Sequence, residues 1–430
     1  MTQKILIKNG LVVDPAADLE AKRDVLIVNG KIEKVAAKIN APGAKIIEAN
    51  GLLVMPGLID MHTHLRDPGR PDKETMATGT QAAAKGGFTT ICAMANTEPV
   101  VDNPAVVRYV VEKARLEGVV GVLPIGAVTL GLKGEQLTEM GLMVKEGAIA
   151  FSDDGRPIMK ADMMRRALEY LRQFNLPLIS HCEDLNLSAG GVVNEGALST
   201  EVGLPAISAL AEETMVARDI MLAEQFGRVH LAHLSSGKSV ELVRQAKKKK
   251  IKITAETCPH YFSLTEEAVK EYDTNAKVNP PLKTKKDIEA IMRGLKDDTI
   301  DVIATDHAPH NVEEKNIEFN QASSGMIGLE TALALVLTKL VETKKLTLKQ
   351  AIAKMTVNPA KILGLNKGTL KVGADADVII VDPKSEWLVD PAKFASKSRN
   401  TPFTGSKLKG QVLYTIVGGK LVVTNGKITA

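Results

Sequence analysis

Short apolar runs alternate with amphipathic stretches through the middle of the chain, at 57–61, 88–95, 119–128, 148–151, 176–180, 229–232, 251–255 and 300–305. Between several of them, residues 104–116, 161–174, 213–226 and 287–295 repeat apolar positions at the spacing of a helix with one buried face. Strand followed by helix, eight times over, predicts an α/β fold whose parallel sheet closes into a (β/α)8 barrel. A doubly wound open sheet would instead bring a phosphate-binding glycine loop after an early strand. Residues 57–69 supply none, and Ser236-Gly237-Lys238-Ser239 has Ala232 where the leading glycine of a P-loop belongs.

The two ends read differently. Ile5-Leu6-Ile7, Leu11-Val12-Val13, Val25-Leu26-Ile27-Val28 and Ile46-Ile47 are short strands punctuated by Asn9-Gly10, Asn29-Gly30 and Asn50-Gly51. These dipeptides tolerate the positive backbone angles of tight hairpins. The same texture returns at 377–381, 412–417 and 421–423, with Gly418-Gly419 and Asn425-Gly426 as turns. Neither end alone has strands enough for a stable sheet. One small β domain drawn from 1–55 and 366–430 is therefore expected to bracket a barrel over 56–365.

Composition narrows the partners. At 430 residues the chain exceeds what one hydrophobic core usually serves, and its net charge of +4 is slight. The one strong basic run, Lys247-Lys248-Lys249-Lys250, falls at a predicted helix end, where cations suit the dipole, so no nucleic acid is expected. No uncharged apolar run is long enough to span a bilayer, and the first ten residues lack the apolar stretch of a signal peptide. Cys92, Cys182 and Cys258 are odd in number and show no Cys-x-x-Cys spacing. That argues against a disulfide framework and for the cytoplasm.

In such a barrel the chemistry gathers at the carboxyl ends of the strands. The residues found there are His62 and His64, Asn96, Asp153-Asp154, His181, His233, His260 and later Asn279, then Asp306, His307 and His310. No histidine falls in a helical pattern or in the terminal segments. On a strand, His62 and His64 project to one face and can grip one ion. Imidazoles and carboxylates without a thiolate suit Zn2+ or a neighbouring divalent metal at an open site. Two ions sharing Asp154, one held also by His62 and His64 and the other by His181 and His233, would lower the pKa of water and polarise a carbonyl. Asp306 beside them could take a proton during attack and return it to a leaving nitrogen, which is amide hydrolysis. His260 and His307 suit packing or the orientation of ligands.

The motifs are 60–69 (DMHTHLRDPG), 93–99 (AMANTEP), 150–155 (AFSDDG), 180–184 (SHCED), 255–261 (AETCPHY), 277–282 (KVNPPL) and 304–310 (ATDHAPH). In this order, across essentially the whole chain, the sequence resembles the type I dihydroorotases of the amidohydrolase superfamily. The resemblance implies a TIM-type barrel with a small β-sandwich built from both termini. It implies reversible cyclisation of N-carbamoyl-L-aspartate to dihydroorotate plus water in pyrimidine biosynthesis. One or two Zn2+ per subunit would be held by His62, His64, Asp154, His181, His233 and Asp306, with Asp306 also the general base. His64, Arg66, Asn96, Asn279, His310, Ser324 and Gly325 would meet the substrate, Arg66 and Asn96 taking its carboxylate. A two-pronged guanidinium suits that task. A homo-oligomer is expected, and the resemblance leaves association with aspartate transcarbamoylase open.

Related hydantoinases and allantoinases bridge their metals with a carboxylated lysine. Here the matching position carries Asp154, with Lys145 and Lys160 only flanking it. Arg66 with Asn96 also demands a carboxylate that a simple hydantoin lacks. Some type I members are noncatalytic partners of the transcarbamoylase and lack metal ligands, whereas this chain lacks none. Ser324 stands where relatives usually carry an aromatic residue, which leaves the main-chain contact, removes an apolar wall and predicts an altered KM. The polar segment 311–316 reads equally as a mobile lid or as a solvated loop.

Overall fold

A computed structural model describes residues 4–429. Eight parallel strands follow one another around a barrel: β1 (Leu58–Thr63), β2 (Phe88–Ala93), β3 (Gly121–Gly126), β4 (Ala150–Phe151), β5 (Leu178–Ser180), β6 (Val229–Leu231), β7 (Ile253–Thr257) and β8 (Val302–Ile303). Each of the eight apolar runs supplies one strand. Their inward side chains, among them Met61, Cys92, Ile125, Ala150, Ile179 and Val302, pack with Ile362 and Leu363 inside the barrel. The outward ones, such as Phe88 and Ile91, pack beneath helix residues Val107, Leu168, Val243 and Leu295.

Local signals set the helix ends. Asn103 accepts from the first turn of Pro104–Glu117, and Thr284 with Asp287 forms a capping box on Lys285–Lys296. Helix Met76–Gly86, poor in large apolar residues, starts on a Thr75–Thr78 box and stops at Gly87, whose φ of 88° only glycine adopts freely. No helix of the described residues is long and apolar enough to cross a membrane.

The terminal segments form one nine-stranded sheet. Leu53–Pro56 joins the two ends, pairing in parallel with Lys4–Asp14 and antiparallel with Val378–Leu388. Ile5, Ile7, Val25, Ile27, Val54, Val378, Ile380 and Ile416 give this sheet a core of its own. Asn29-Gly30 and Asn425-Gly426 make hairpin turns as expected, whereas Asn50-Gly51 turns between Lys45–Glu48 and Leu53–Pro56, which pair in parallel with Lys4–Asp14 and not with each other, and Asn9-Gly10 makes no turn. It is a bulge inside the single strand Lys4–Asp14, because Asp24 of the partner strand takes the Asn9 N–H at 2.9 Å. Val54 fills the space where a Gly10 Cβ would sit.

The seam between β1 and β8 has only an isolated parallel bridge, Thr63 with His307, and a bond from His64 N–H to His307 O at 2.8 Å. Asp60 completes it: its buried carboxylate accepts from the Thr305 N–H at 3.1 Å, the Thr305 hydroxyl and the His62 N–H at 3.1 Å. Asp60→Ala strands three buried donors and is expected to cost about 3 kcal/mol in urea unfolding. A loss below about 1 kcal/mol would mean that those donors find other acceptors.

Candidate active site

The carboxyl ends of the strands converge on Asp154, just beyond β4. Its Oδ1 lies 3.4 Å from His62 Nε2, 3.5 Å from His181 Nδ1 and 3.5 Å from His233 Nε2, and its Oδ2 lies 3.4 Å from His64 Nε2. Asp306 faces the first pair, with Oδ1 3.1 Å from His64 Nε2 and 3.6 Å from His62 Nε2. All six side chains expected as ligands thus meet in one cluster, and each is at least nine-tenths buried. Arg66, His233 and Asp306 take positive φ angles of 59°, 35° and 49° where the chain turns off its strands, a strain found where function needs a fixed direction.

Two subsets, His62 with Asp154 and His233, and His62 with His64 and Asp306, place their donor atoms close enough to share an ion. Donors about 2.0–2.1 Å from a tetrahedral Zn2+ would stand roughly 3.4 Å apart, and the histidine–carboxylate spacings match that edge. His62 Nε2 and Asp154 Oδ1 are buried without any hydrogen-bond partner. Such orphaned groups are costly unless a cation receives them, so the residues fit a divalent metal. Within the cluster the charges lean on each other. Burial pulls the His62 imidazole down, but Asp154 and Glu256 outweigh it and hold it well above its usual range. Burial pushes Asp154 up, and the nearby His62, His181 and His233 bring it well below.

Glutamates orient the histidines from behind. Glu256 Oε1 lies 2.7 Å from His62 Nδ1, Glu183 Oε2 2.9 Å from His181 Nε2, Glu314 Oε2 2.7 Å from His310 Nδ1 and Glu74 Oε2 3.4 Å from His307 Nε2. A carboxylate at one ring nitrogen keeps the proton there, and at His62 it leaves Nε2 for the site, whereas His181 Nδ1 lies 2.8 Å from His233 Nε2 and His307 Nδ1 accepts from the Gly328 N–H at 3.2 Å. Burial would raise Glu256 and Glu183, yet His62 and His181 respectively hold them at about 2, so both stay acceptors. The sequence reading missed this role. Glu256, a charge pointing inward from an apolar strand, broke the local pattern and was the available signal. One of the eight histidines also escapes the rule of strand ends: His230 lies within β6, 3.1 Å from Glu256 Oε2 and 2.8 Å from Thr254 Oγ1.

The rim carries the remaining expected residues. Asn96 Oδ1 accepts from His64 Nδ1 at 2.8 Å, which turns His64 Nε2 toward Asp306. Arg66 Nε donates to Pro309 O at 3.1 Å, and its Nη2 lies 3.3 Å from His310 Nε2. Burial and the Arg66 charge push His310 down to about 3, so it is neutral. Asn279 Nδ2 donates to Glu183 at 2.9 Å. The Ser324 side chain is exposed, and its carbonyl lies 2.9 Å from His310 Nε2. Gly325 donates to Lys277 O and accepts from Lys315 and Asn400, so its own main-chain groups are engaged.

Three flanking residues stand outside the cluster. Asp153 ties down Val128, Thr129 and the Thr129 hydroxyl, while Lys145 and Lys160 are exposed. His260 is buried against Tyr261, with burial holding it at about 4. Segment 311–316 forms the one-turn helix Val312–Lys315, and Glu314 pairs there with Arg70 at 2.9 Å and Lys73 at 2.7 Å. The segment is thus bound to the loop after β1.

Lys315 crosses under the rim and donates to Ser323 O at 2.7 Å and Gly325 O at 3.1 Å. Burial, reinforced by Lys277, pulls its ammonium from 10.5 to about 7, with Asp273 and Glu314 opposing. Between about 7 and 10.5 the unfolded lysine binds a proton that the folded one does not. Stability contributed by this group is therefore present above 10.5 and lost as pH falls through about 7. In Lys315→Met that dependence disappears. The stability of the wild type relative to the variant should rise by up to about 4 kcal/mol from neutral to alkaline pH in urea titrations, and a constant difference would refute the shift.

A family model described as the amidohydrolase family matches residues 53–422. Among curated relatives, a dihydroorotase of Pelotomaculum thermopropionicum is 57% identical over 421 residues, covering 98% of each chain. One of Acetivibrio thermocellus is 54% identical, covering 97% of this chain and 99% of its own. Among solved structures, the L-hydantoinase of Arthrobacter aurescens superposes with a TM-score of 0.90 at 25% identity, over 100% of this chain and 98% of its own. The buried histidine–aspartate cluster at the mouth of an eight-stranded barrel and the match along nearly the whole length agree: the chain belongs to the amidohydrolase family.

Proposed function

We propose that the chain is a zinc-dependent dihydroorotase, interconverting dihydroorotate plus water with N-carbamoyl-L-aspartate. The observation that carries the reading is Arg66. Its guanidinium is fixed by Pro309 and His310, and among the described residues no carboxylate forms an ion pair with it. A carboxylate on the substrate completes it. The relatives named dihydroorotase support the choice of ring. Hydantoinases are close in fold, but Asp154 at the cluster centre and the exposure of both flanking lysines favour the carboxylate-bearing substrate.

Bound by His62, His64, Asp154, His181, His233 and Asp306, Zn2+ would supply Lewis acidity toward the ring carbonyl and a lowered pKa for water. The protein does the rest. Arg66 and the Asn96 amide hold the substrate carboxylate, and Asn279, His310 and the Ser324–Gly325 main chain bound the ring. Asp306 is kept ionised, because His62 and His64 outweigh the burial that would raise it. Its carboxylate takes the proton of the attacking water and returns it to the ring nitrogen as the C–N bond breaks. In the reverse direction it removes the proton from that nitrogen as the ring closes.

The test follows dihydroorotate by ultraviolet absorbance with the purified chain as isolated, after chelation and after Zn2+ is restored. Activity should vanish with the metal and return with it, without any added transcarbamoylase. No turnover with metal bound would overturn the reading, and activity appearing only on mixing would make the chain a partner-dependent subunit. Arg66→Ala should raise KM for dihydroorotate about 10- to 100-fold, the loss of a charged bidentate contact. An unchanged KM would remove Arg66 from the carboxylate site.

A further inference from the structure

Residues 396–400, Ser-Lys-Ser-Arg-Asn, come from the C-terminal part of the chain yet lie across the barrel mouth. Burial alternates along them. Ser396, Ser398 and Asn400 are 1%, 4% and 4% exposed, while Lys397 and Arg399 face outward. The inward row is polar, and each member meets a loop of the candidate site. Ser396 donates to Glu74, which orients His307. The Ser398 hydroxyl donates to Lys73 O at 2.7 Å.

Asn400 does most. Its Oδ1 accepts the His310 N–H at 3.1 Å, and its Nδ2 donates to Ala308 O at 3.0 Å and Gly325 O at 3.1 Å. Its backbone carbonyl accepts from the Ile327 N–H at 2.9 Å. Only this orientation of the amide satisfies all the side-chain contacts, since a flipped amide would set oxygen against two carbonyls. The two stretches it joins are close-fitted. A Cβ on Gly325 would come within 2.7 Å of Ala308 Cβ and 3.1 Å of His310 Nε2. His310 in turn lies 3.3 Å from Arg66 Nη2.

We propose that Asn400 is a positioning residue for the substrate site, holding His310 and Gly325 in the register in which they bound the substrate ring beside Arg66. This rests on the dihydroorotase reading of the site. Asn400 touches none of the six expected metal ligands, so its effect falls on substrate binding and not on metal content.

Full-length, Zn2+-loaded wild type is compared with Asn400→Ala, with the isosteric Asn400→Asp, which keeps the acceptor but turns oxygen toward both carbonyls, and with Lys397→Ala as a control on the outward face. Steady-state kinetics on dihydroorotate, metal stoichiometry and amide hydrogen exchange at His310 are measured. Both Asn400 variants should raise KM about tenfold, change kcat less than about threefold and keep the metal, and Asn400→Ala, which removes the acceptor, should speed exchange at the His310 amide. Lys397→Ala should keep the wild-type KM. If one Asn400 variant fails to fold, the other carries the comparison. An unchanged KM in an active enzyme, or a loss of metal and kcat in place of the KM effect, overturns the proposal. Should wild type itself not turn over dihydroorotate, the substrate reading falls. Exchange in Asn400→Ala then decides Asn400 alone: faster exchange upholds its hold on His310, and unchanged exchange refutes it.

Discussion

Everything at the barrel mouth turns on the burial of one carboxylate, Asp154, among four imidazoles. A lone charge in that place would be prohibitive, and so would the histidines left without an anion or a cation to answer. The cluster tolerates burial because opposite charges sit within a few ångströms and because its unpartnered atoms, His62 Nε2 and Asp154 Oδ1, belong to donor groups close enough to share a metal ion. Its geometry requires strand ends from β1, β4, β5, β6 and β8 to meet to within ångströms, which a closed barrel achieves and an open sheet does not.

Closure itself is partly polar. β1 and β8 share little main-chain pairing, and the Asp60 carboxylate replaces it by gathering three donors from the two strands. The same segments bear His62, His64 and Asp306, so the interaction that shuts the barrel also fixes candidate ligands on both sides of the seam. Burial raises Asp60 to about 6 despite these bonds.

Around the cluster the protein repeats one device: a glutamate behind each of His62, His181, His307 and His310. Several are shared. Glu256 reaches both His62 and His230, Glu183 reaches His181 and Asn279, and Glu314 links His310 to Arg70 and Lys73. Sharing couples the buried histidine–aspartate cluster to the rim around Arg66 and His310 through buried or half-buried bonds, and the polar row at Ser396, Ser398 and Asn400 backs the rim from outside. Rotamers locked in this way keep the reacting groups near productive geometry before substrate arrives.

Much of this was legible in the chain. Eight apolar runs became eight strands, since burial on both faces of a parallel strand leaves a continuous apolar signature that needs no tertiary context. The metal-binding residue types stood out because histidine and aspartate right after such runs have few other reasons to be there. Local chemistry was less decisive where a distant residue intervened: Asn9-Gly10 has the signature of a hairpin, and Asp24 from the next strand made it a bulge. The orienting glutamates, the Asp60 seam and the Asn400 brace lie far in sequence from what they hold, 194 residues in the case of His62 and Glu256. A sequence records which groups each segment brings and the period on which it brings them. Which donor finds which acceptor depends on the closure of the barrel and the path of the chain across its mouth, and those exist only once the whole core has packed.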